Sequence, residues 1–183
     1  PKIHLTFNQA VDQASVEAAF EFGPPAGDKL AGSFVWSEDG TSVTFQPANL
    51  LERNTTYNLS LSTNAKGMGG TPIEQDLRAT YYSVPNFALE NTTPAQNGSI
   101  QLYSGYGSLE IAFSAPLAKN QDFSELVQFS PTISEEYYYP SDQSLHINGY
   151  FNPSTNYTLT ISAELTDQWK MPLRQNLTLR FNT

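Results

Sequence analysis

The chain has 183 residues, 13% of them aromatic, and 18 acidic against 9 basic side chains give a net charge of −9. With so acidic a balance and no Lys/Arg run, nucleic acid and anionic membrane surfaces would be repelled and are not expected partners. No apolar run reaches the ~18 residues of a bilayer span, and the lack of cysteine removes disulfides, thiolate nucleophiles and cysteine metal sites together.

Along the chain, Lys2 to Phe7 alternates with Ile3, Leu5 and Phe7 on one face, the period of a half-buried strand. An opening at Pro1-Lys2-Ile3-His4, with no signal peptide, reads as a fragment cut from something longer. Asp12 is placed to cap a short helical turn that carries Val16 and Phe20 inward. Phe20-Glu21-Phe22 then forms a strand ended by Gly23-Pro24-Pro25. Phe34-Val35-Trp36 and Val43-Thr44-Phe45 flank Ser37-Glu38-Asp39-Gly40, whose Asp-Gly pair predicts a hairpin. A loop with a helical turn through Leu50-Leu51 leads to an alternating strand at Tyr57, Leu59 and Leu61. A glycine-rich turn from Asn64 to Gly70 and a closing strand within Ile73 to Tyr82 follow.

The same order then returns. Asn54-Thr55-Thr56-Tyr57-Asn58-Leu59-Ser60-Leu61-Ser62 reappears 100 positions on as Ser154-Thr155-Asn156-Tyr157-Thr158-Leu159-Thr160-Ile161-Ser162. Thr55, Tyr57, Leu59, Ser62, Pro72, Gln75 and Leu77 are identical to their partners. Earlier in the second copy, Leu109, Ile111 and Phe113 match Ile3, Leu5 and Phe7, and Asp122 to Val127 matches the helical turn. Tyr137 to Tyr139 and Leu145-His146-Ile147 form a hairpin around Ser141-Asp142-Gln143, with Tyr139 standing where Trp36 does.

A repeat of this period means two copies of one domain, not a solenoid of short units. About seven short strands per copy, separated by Pro, Gly and Asn turns, give an all-β fold. It is read as two tandem immunoglobulin-like Greek-key β-sandwiches, residues 1–83 and 84–183, joined near 83–86. Residues 86–108, with a strand expected at Ile100-Gln101-Leu102-Tyr103, have no counterpart ahead of Ile3. The first copy is therefore expected to lack its opening strand and to leave a short or exposed sheet edge.

The first copy carries Phe7-Asn8-Gln9-Ala10-Val11-Asp12 with Ser15-Val16, then Trp36-Ser37-Glu38-Asp39-Gly40-Thr41. Phe45-Gln46-Pro47 with Leu50 or Leu51, and Thr55-Thr56-Tyr57, complete the set. As a set these resemble the bacterial Ig-like domains of the Big_5, or SbsA-like, group over almost all of residues 3–82. The second copy departs from the pattern, with Gln143 for Gly40 and a blurred loop at Asn148-Gly149-Tyr150-Phe151-Asn152-Pro153. The resemblance implies a module of a secreted, periplasmic or cell-surface bacterial protein, such as an S-layer protein or an alpha-2-macroglobulin-like protease trap. It implies no active site, and neighbouring domains of the parent chain are the first expected partners.

Candidates for chemistry are few. His4 and His146 each lie between apolar residues on different strands, which reads as surface strand histidine, and no Gly-x-Ser-x-Gly elbow accompanies them. Glu38-Asp39 has a sufficient reason in turn formation, and Glu135-Glu136 would point to opposite faces of a strand. Neither offers the converging oxygens of a calcium loop, so no cofactor and no metal are expected, nor an enzyme. The six Asn-x-Ser/Thr triplets read as Asn/Thr-rich turns and strand faces.

Tyr137, Tyr138, Tyr139 and Tyr150, with Tyr103 and Tyr106 near in sequence, form the candidate interaction surface for a protein or glycan ligand. Cross-strand packing on an ordinary sheet face is the plainer reading of the same residues. Trp169 replaces Gly69 at the turn of the second copy, as an exposed contact or as a wedge at the domain joint. The expected function is a non-catalytic spacer and interaction module. The alternative is a carbohydrate- or protein-binding adhesion module that uses the tyrosine-rich face.

Overall fold

Alternating stretches of the first half pair into two three-stranded sheets. In the computed structural model, which describes residues 2–183, the chain divides into one unit ending at Val84 and another spanning Pro85–Thr183. The first unit comprises β1 (Ile3–Thr6), α1 (Gln13–Ala19), β2 (Phe20–Gly23), β3 (Gly32–Trp36), β4 (Ser42–Pro47), β5 (Thr56–Leu61) and β6 (Leu77–Tyr82). One sheet runs β1-β4-β3 and the other β2-β5-β6. Their inner faces interlock: Phe20 meets Phe45 at 4.8 Å between ring centroids, and Ile3, Phe22, Tyr57, Leu59 and Leu61 are buried with them. Each such side chain taken from water contributes about 1.5–3 kcal/mol, and this burial is what holds two small sheets together.

Short polar devices set the turns between strands. Asp12 caps α1, its carboxylate accepting the Ser15 N–H at 3.3 Å, and the helix delivers Val16 and Ala19 to the core. Asp39 closes the β3–β4 hairpin by accepting from the Ser37 hydroxyl at 2.6 Å and from the Thr41 N–H and hydroxyl at 3.1 and 2.8 Å. Gly40 follows at φ +65°, a conformation in which a side chain would be strained. No helical turn forms at Leu50-Leu51, and Leu50 stands exposed in an irregular loop.

The second unit comprises β7 (Leu89–Thr93), β8 (Gly98–Ser99), β9 (Tyr106–Phe113), α2 (Phe123–Leu126), β10 (Val127–Ser130), β11 (Ser134–Pro140), β12 (Ser144–Tyr150), β13 (Asn156–Ile161) and β14 (Leu177–Asn182). Its sheets are four-stranded, ordered β11-β12-β9-β7 and β10-β13-β14-β8. Strand register shows the kinship of the units directly. Ile3 lies opposite Phe45 as Leu109 lies opposite Ile147, and Tyr57 opposite Tyr81 as Tyr157 opposite Phe181. Both are Ig-like β-sandwiches, and each contains the tyrosine corner of that fold. The Tyr57 hydroxyl accepts the Glu52 N–H at 2.9 Å, and the Tyr157 hydroxyl accepts the Asn152 N–H at 2.8 Å.

Two placements differ from the sequence reading. Tyr139 does not stand where Trp36 does. Trp36 pairs with Val43 and turns toward the core, whereas the residue opposite the matching Leu145 is Pro140. The second hairpin is shorter between those partners, residues 141–144 against 37–42, so counting back from its turn overshoots onto the outer face. Nor is the extra strand at Ile100–Tyr103. Pairing occurs at Leu89–Thr93 and Gly98–Ser99, where the chain passes from one sheet to the other, and Ile100 follows as a buried anchor. A segment split between two sheets shows too little alternation to register as one strand.

Several turn carboxylates are held below the usual carboxylate range. For Asp39 the Ser37 hydroxyl is the main cause, for Asp76 the Thr63 N–H, and for Asp122 the Ser124 hydroxyl. A folded-state value below the unfolded one gives stability that is present above the unfolded pKa and is lost as pH falls through the folded pKa. Both units should therefore weaken below about pH 4, where free carboxylates begin to protonate. Urea unfolding at a series of pH values reads this. Asp39→Asn should lower neutral-pH stability and flatten the acid slope; an unchanged slope would remove Asp39 from the explanation.

Candidate functional site

Four of the ten tyrosines gather on the outer face of one sheet in the second unit, and strand pairing decides which of them do. Residues opposite one another on neighbouring strands share a face. Tyr139, His146 and Glu110 form one such row across β11, β12 and β9, and Tyr137, Asn148 and Ser108 form the next. Tyr150 lies opposite Tyr106 at the far end, their rings edge to face at 5.3 Å. Along β11 the two tyrosines stand about 7 Å apart, and neighbouring strands are about 4.8 Å apart. Tyr139 is 55% exposed and Tyr137 48%, while Tyr150 is also exposed, so three of the singled-out tyrosines present ring surface to solvent on one face.

Between the rings lie groups able to donate and accept hydrogen bonds: the His146 imidazole, the Asn148 amide and the Glu110 carboxylate, which accepts from the Ser144 hydroxyl at 2.9 Å. Such a face suits a neutral, polyhydroxylated or peptide ligand better than an anion, given the net charge of −9. A tight turn borders it. Ser104 and Gly105 both take positive φ, Tyr103 and Tyr106 exchange backbone hydrogen bonds of 2.8 and 3.0 Å, and Tyr103 projects outward.

Tyr138 faces the other way. It lies opposite core residue Ile147, its ring stacks on Phe123 at 6.3 Å, and its hydroxyl donates to the Glu136 carboxylate. Burial first, and then the Glu136 hydrogen bond and charge, push that hydroxyl above its ordinary value, so it stays protonated and donating. Strand alternation gives this orientation, since pairing runs unbroken from Tyr137 to Pro140, and the bulge between Ser134 and Tyr137, with Glu135 at φ +51°, comes only before that stretch.

Trp169 belongs to a turn of the other sheet and is 51% exposed. A residue outside the sequence-derived candidates holds that turn. Asp167 is fully buried, and its carboxyl oxygen Oδ1 accepts the backbone N–H of Trp169 and of Met171, each at 2.9 Å. The first unit has Gly67 at the equivalent position and makes the same backbone closure, Gly67 N–H to Thr71 at 2.9 Å against Asp167 N–H to Met171 at 3.0 Å. The offset alignment held the signal, since a carboxylate replaces a glycine there.

His4 donates to or accepts from the Thr44 hydroxyl at 3.1 Å on the outer face of β1. Among the described residues no three His, Cys, Asp or Glu side chains cluster as metal ligands would, and no helix is long and apolar enough to cross a membrane.

Residues 1–87 match the family model of the bacterial Ig-like domain. Solved structures similar to the chain include the N-terminal part of the bacterial S-layer protein SbsC, 15% identical, covering 100% of this chain and 41% of that one at a TM-score of 0.38. The S-layer protein rSbsC(31-844) is 16% identical, with 99% and 24% covered and a TM-score of 0.37. Surface layer protein SbsC, domains 1–6, is 12% identical, with 96% and 32% covered and a TM-score of 0.37. The chain thus spans well under half the length of each of these structures. No curated protein matches it significantly.

Proposed function

We propose, from the match of residues 1–87 to the bacterial Ig-like domain, that the chain is a tandem of two such modules, the second a diverged copy, and that it serves as a non-catalytic spacer and interaction segment of a larger bacterial secreted or surface protein. What supports this most is where the duplicated residues sit. Tyr57 and Tyr157 lock the corners, Leu59 and Leu159 fill the cores, and the Thr55 and Thr155 hydroxyls donate to the carbonyls of Arg53 and Pro153 at 2.9 and 3.0 Å. Both copies kept the framework of a sandwich, and the surfaces went separate ways. A sharper form of the proposal makes the parent an alpha-2-macroglobulin-like protease trap, in which this cysteine-free segment would be scaffold.

A second reading rests on the outer face that carries Tyr137, Tyr139 and Tyr150: a binding module for a glycan or protein. Retention on a glycan array and on insoluble polysaccharides separates the two. Under the spacer reading the chain and its Tyr137→Ala/Tyr139→Ala variant are alike unretained. Specific retention of the unmodified chain that the double variant loses would replace the spacer by the binding module.

A further inference from the structure

Three pairs in the chain set an Asp or Asn directly before a glycine: Asp39-Gly40, Asn97-Gly98 and Asn148-Gly149. Glycine has no Cβ to shield its backbone nitrogen, so that nitrogen can attack the preceding side-chain carbonyl wherever the local backbone is able to turn. The fold disarms two of the three. The Asp39 carboxylate accepts from the Ser37 hydroxyl and from the Thr41 N–H and hydroxyl, and these bonds hold it ionised, a form that resists attack. Asn148-Gly149 lies within β12, where Asn148 stands opposite Tyr137 on β11 and Ser108 on β9, and Gly149 is buried opposite Gly107. Turning that nitrogen would pull a central strand from its sheet.

Asn97-Gly98 is placed otherwise. It occupies the crossing from β7 to β8, with Asn97 exposed at φ +62°, and no hydrogen bond holds its carboxamide among the described residues. The Gly98 N–H rests on the Ala95 carbonyl at 2.8 Å, across one exposed turn, and β8 is a two-residue strand at the edge of its sheet. Opening a turn and a short edge strand draws on the low end of local stability, whereas opening β12 approaches the cost of unfolding the unit.

We propose that Asn97 is a site of spontaneous, water-driven modification, and that its conversion to isoaspartate unlatches the residues after it from β14. Hydroxide takes the Gly98 amide proton and the freed nitrogen attacks Cγ of Asn97. The N–Cγ bond forms, the Cγ–Nδ2 bond breaks, and ammonia leaves with a proton returned by water. Water then opens the resulting succinimide at either carbonyl, leaving aspartate or isoaspartate at that position. Isoaspartate carries the main chain through its side chain and so lengthens it by one carbon. The contacts on either side leave no slack for this. Before the reacting bond, Gln96 Oε1 accepts the Arg180 N–H at 3.0 Å, and the Asn97 N–H donates to the Arg180 carbonyl at 2.7 Å. After it, Gly98 and Ser99 pair with Phe181 and Asn182, and the Ile100 N–H donates to the Asn182 carbonyl at 2.9 Å. The added carbon puts these two sets out of step. The later set gives way, and the buried Ile100 side chain goes with it.

The test ages the folded chain in mildly alkaline buffer and maps its peptides by mass and by isoaspartyl methyltransferase labelling. Asn97 should convert at least about tenfold faster than Asn148, and Asp39 should stay unlabelled. In urea, where the fold no longer discriminates, Asn97 and Asn148 should convert at similar rates. Asn97→Gln should remove the labelled peptide from the folded chain. In the aged chain, amide exchange at Ile100 should quicken about tenfold or more while Leu159 on β13 keeps its rate. An Asn97 still intact when the urea-unfolded chain is fully converted would overturn the proposal, as would equal conversion of Asn97 and Asn148 in the folded chain. A converted chain with unchanged exchange at Ile100 would overturn the unlatching.

Discussion

Leu159→Ala should destabilise the second unit by about 2–5 kcal/mol, toward the upper end of that range, and leave exchange in β5 of the first unit unchanged. Leu159 is fully buried in the central strand β13, between Phe129 of β10 and Leu179 of β14. Its loss leaves a cavity with large side chains on both sides and little freedom to collapse. Leu59→Ala makes the same change at the equivalent place and should cost the first unit less. There the neighbour on β6 is the smaller, half-buried Ala79, beside the uncovered edge, so the site can relax or admit water. Roughly 4–8 °C of melting temperature is expected per kcal/mol for units of this size. Calorimetry combined with exchange in β5 and β13 measures both. Equal losses in the two variants, or a Leu159→Ala loss spread over both units, would contradict separate cores of unequal closure.

Asp167→Ala is the second large effect, a loss of about 2–4 kcal/mol, because two part-buried N–H groups lose their carboxyl acceptor at once. Asp167→Asn retains an acceptor oxygen and should lose much less. The two turns show why the acid is needed. Gly70 takes φ +83° in the first unit at little cost, whereas its counterpart Lys170 takes φ +65° with a side chain attached. A left-handed residue other than glycine costs about 1–2 kcal/mol, and the Asp167 clamp offsets it. Lys170→Gly should accordingly raise stability in the presence of Asp167 and rescue part of the Asp167→Ala loss. Urea unfolding followed by Trp169 fluorescence reads all three variants. No difference between the Ala and Asn variants would remove the clamp from the account.

Much of this architecture could be read from residues alone, for definite reasons. Tyr57-Leu59-Leu61 and its repeat alternate cleanly because the central strands have one wet and one dry face, and Asp12 announces α1 through a local hydrogen bond. Where pairing rather than periodicity decides, sequence was insufficient. Counting residues sets Tyr139 in the place of Trp36, because nothing in Ser141-Asp142-Gln143 reveals a hairpin shortened between its pairing partners. The sequence points to Ile100–Tyr103 for the extra strand because Leu89–Thr93 is largely polar and pairs through a bulge. In the candidate face, the tyrosines are evident by type and alternation alone sets Tyr138 opposite Tyr137 and Tyr139, but the His146, Asn148 and Glu110 rows between them arise from cross-strand register. Asp167 acts through burial, which a list of charges does not disclose.

The tyrosine corners carry a chemical consequence of their own. Extracellular sandwiches of this size often tie their sheets with a sulfur–sulfur bond; here each loop is closed by a phenol oxygen accepting a single amide proton, and the chain contains no sulfur able to cross-link. Such a closure has no redox potential. It forms identically in a reducing cytosol and an oxidising exterior, needs no isomerase, and cannot be mispaired between the two copies during synthesis, since each hydroxyl reaches only five residues back, into the loop that leads to its own strand.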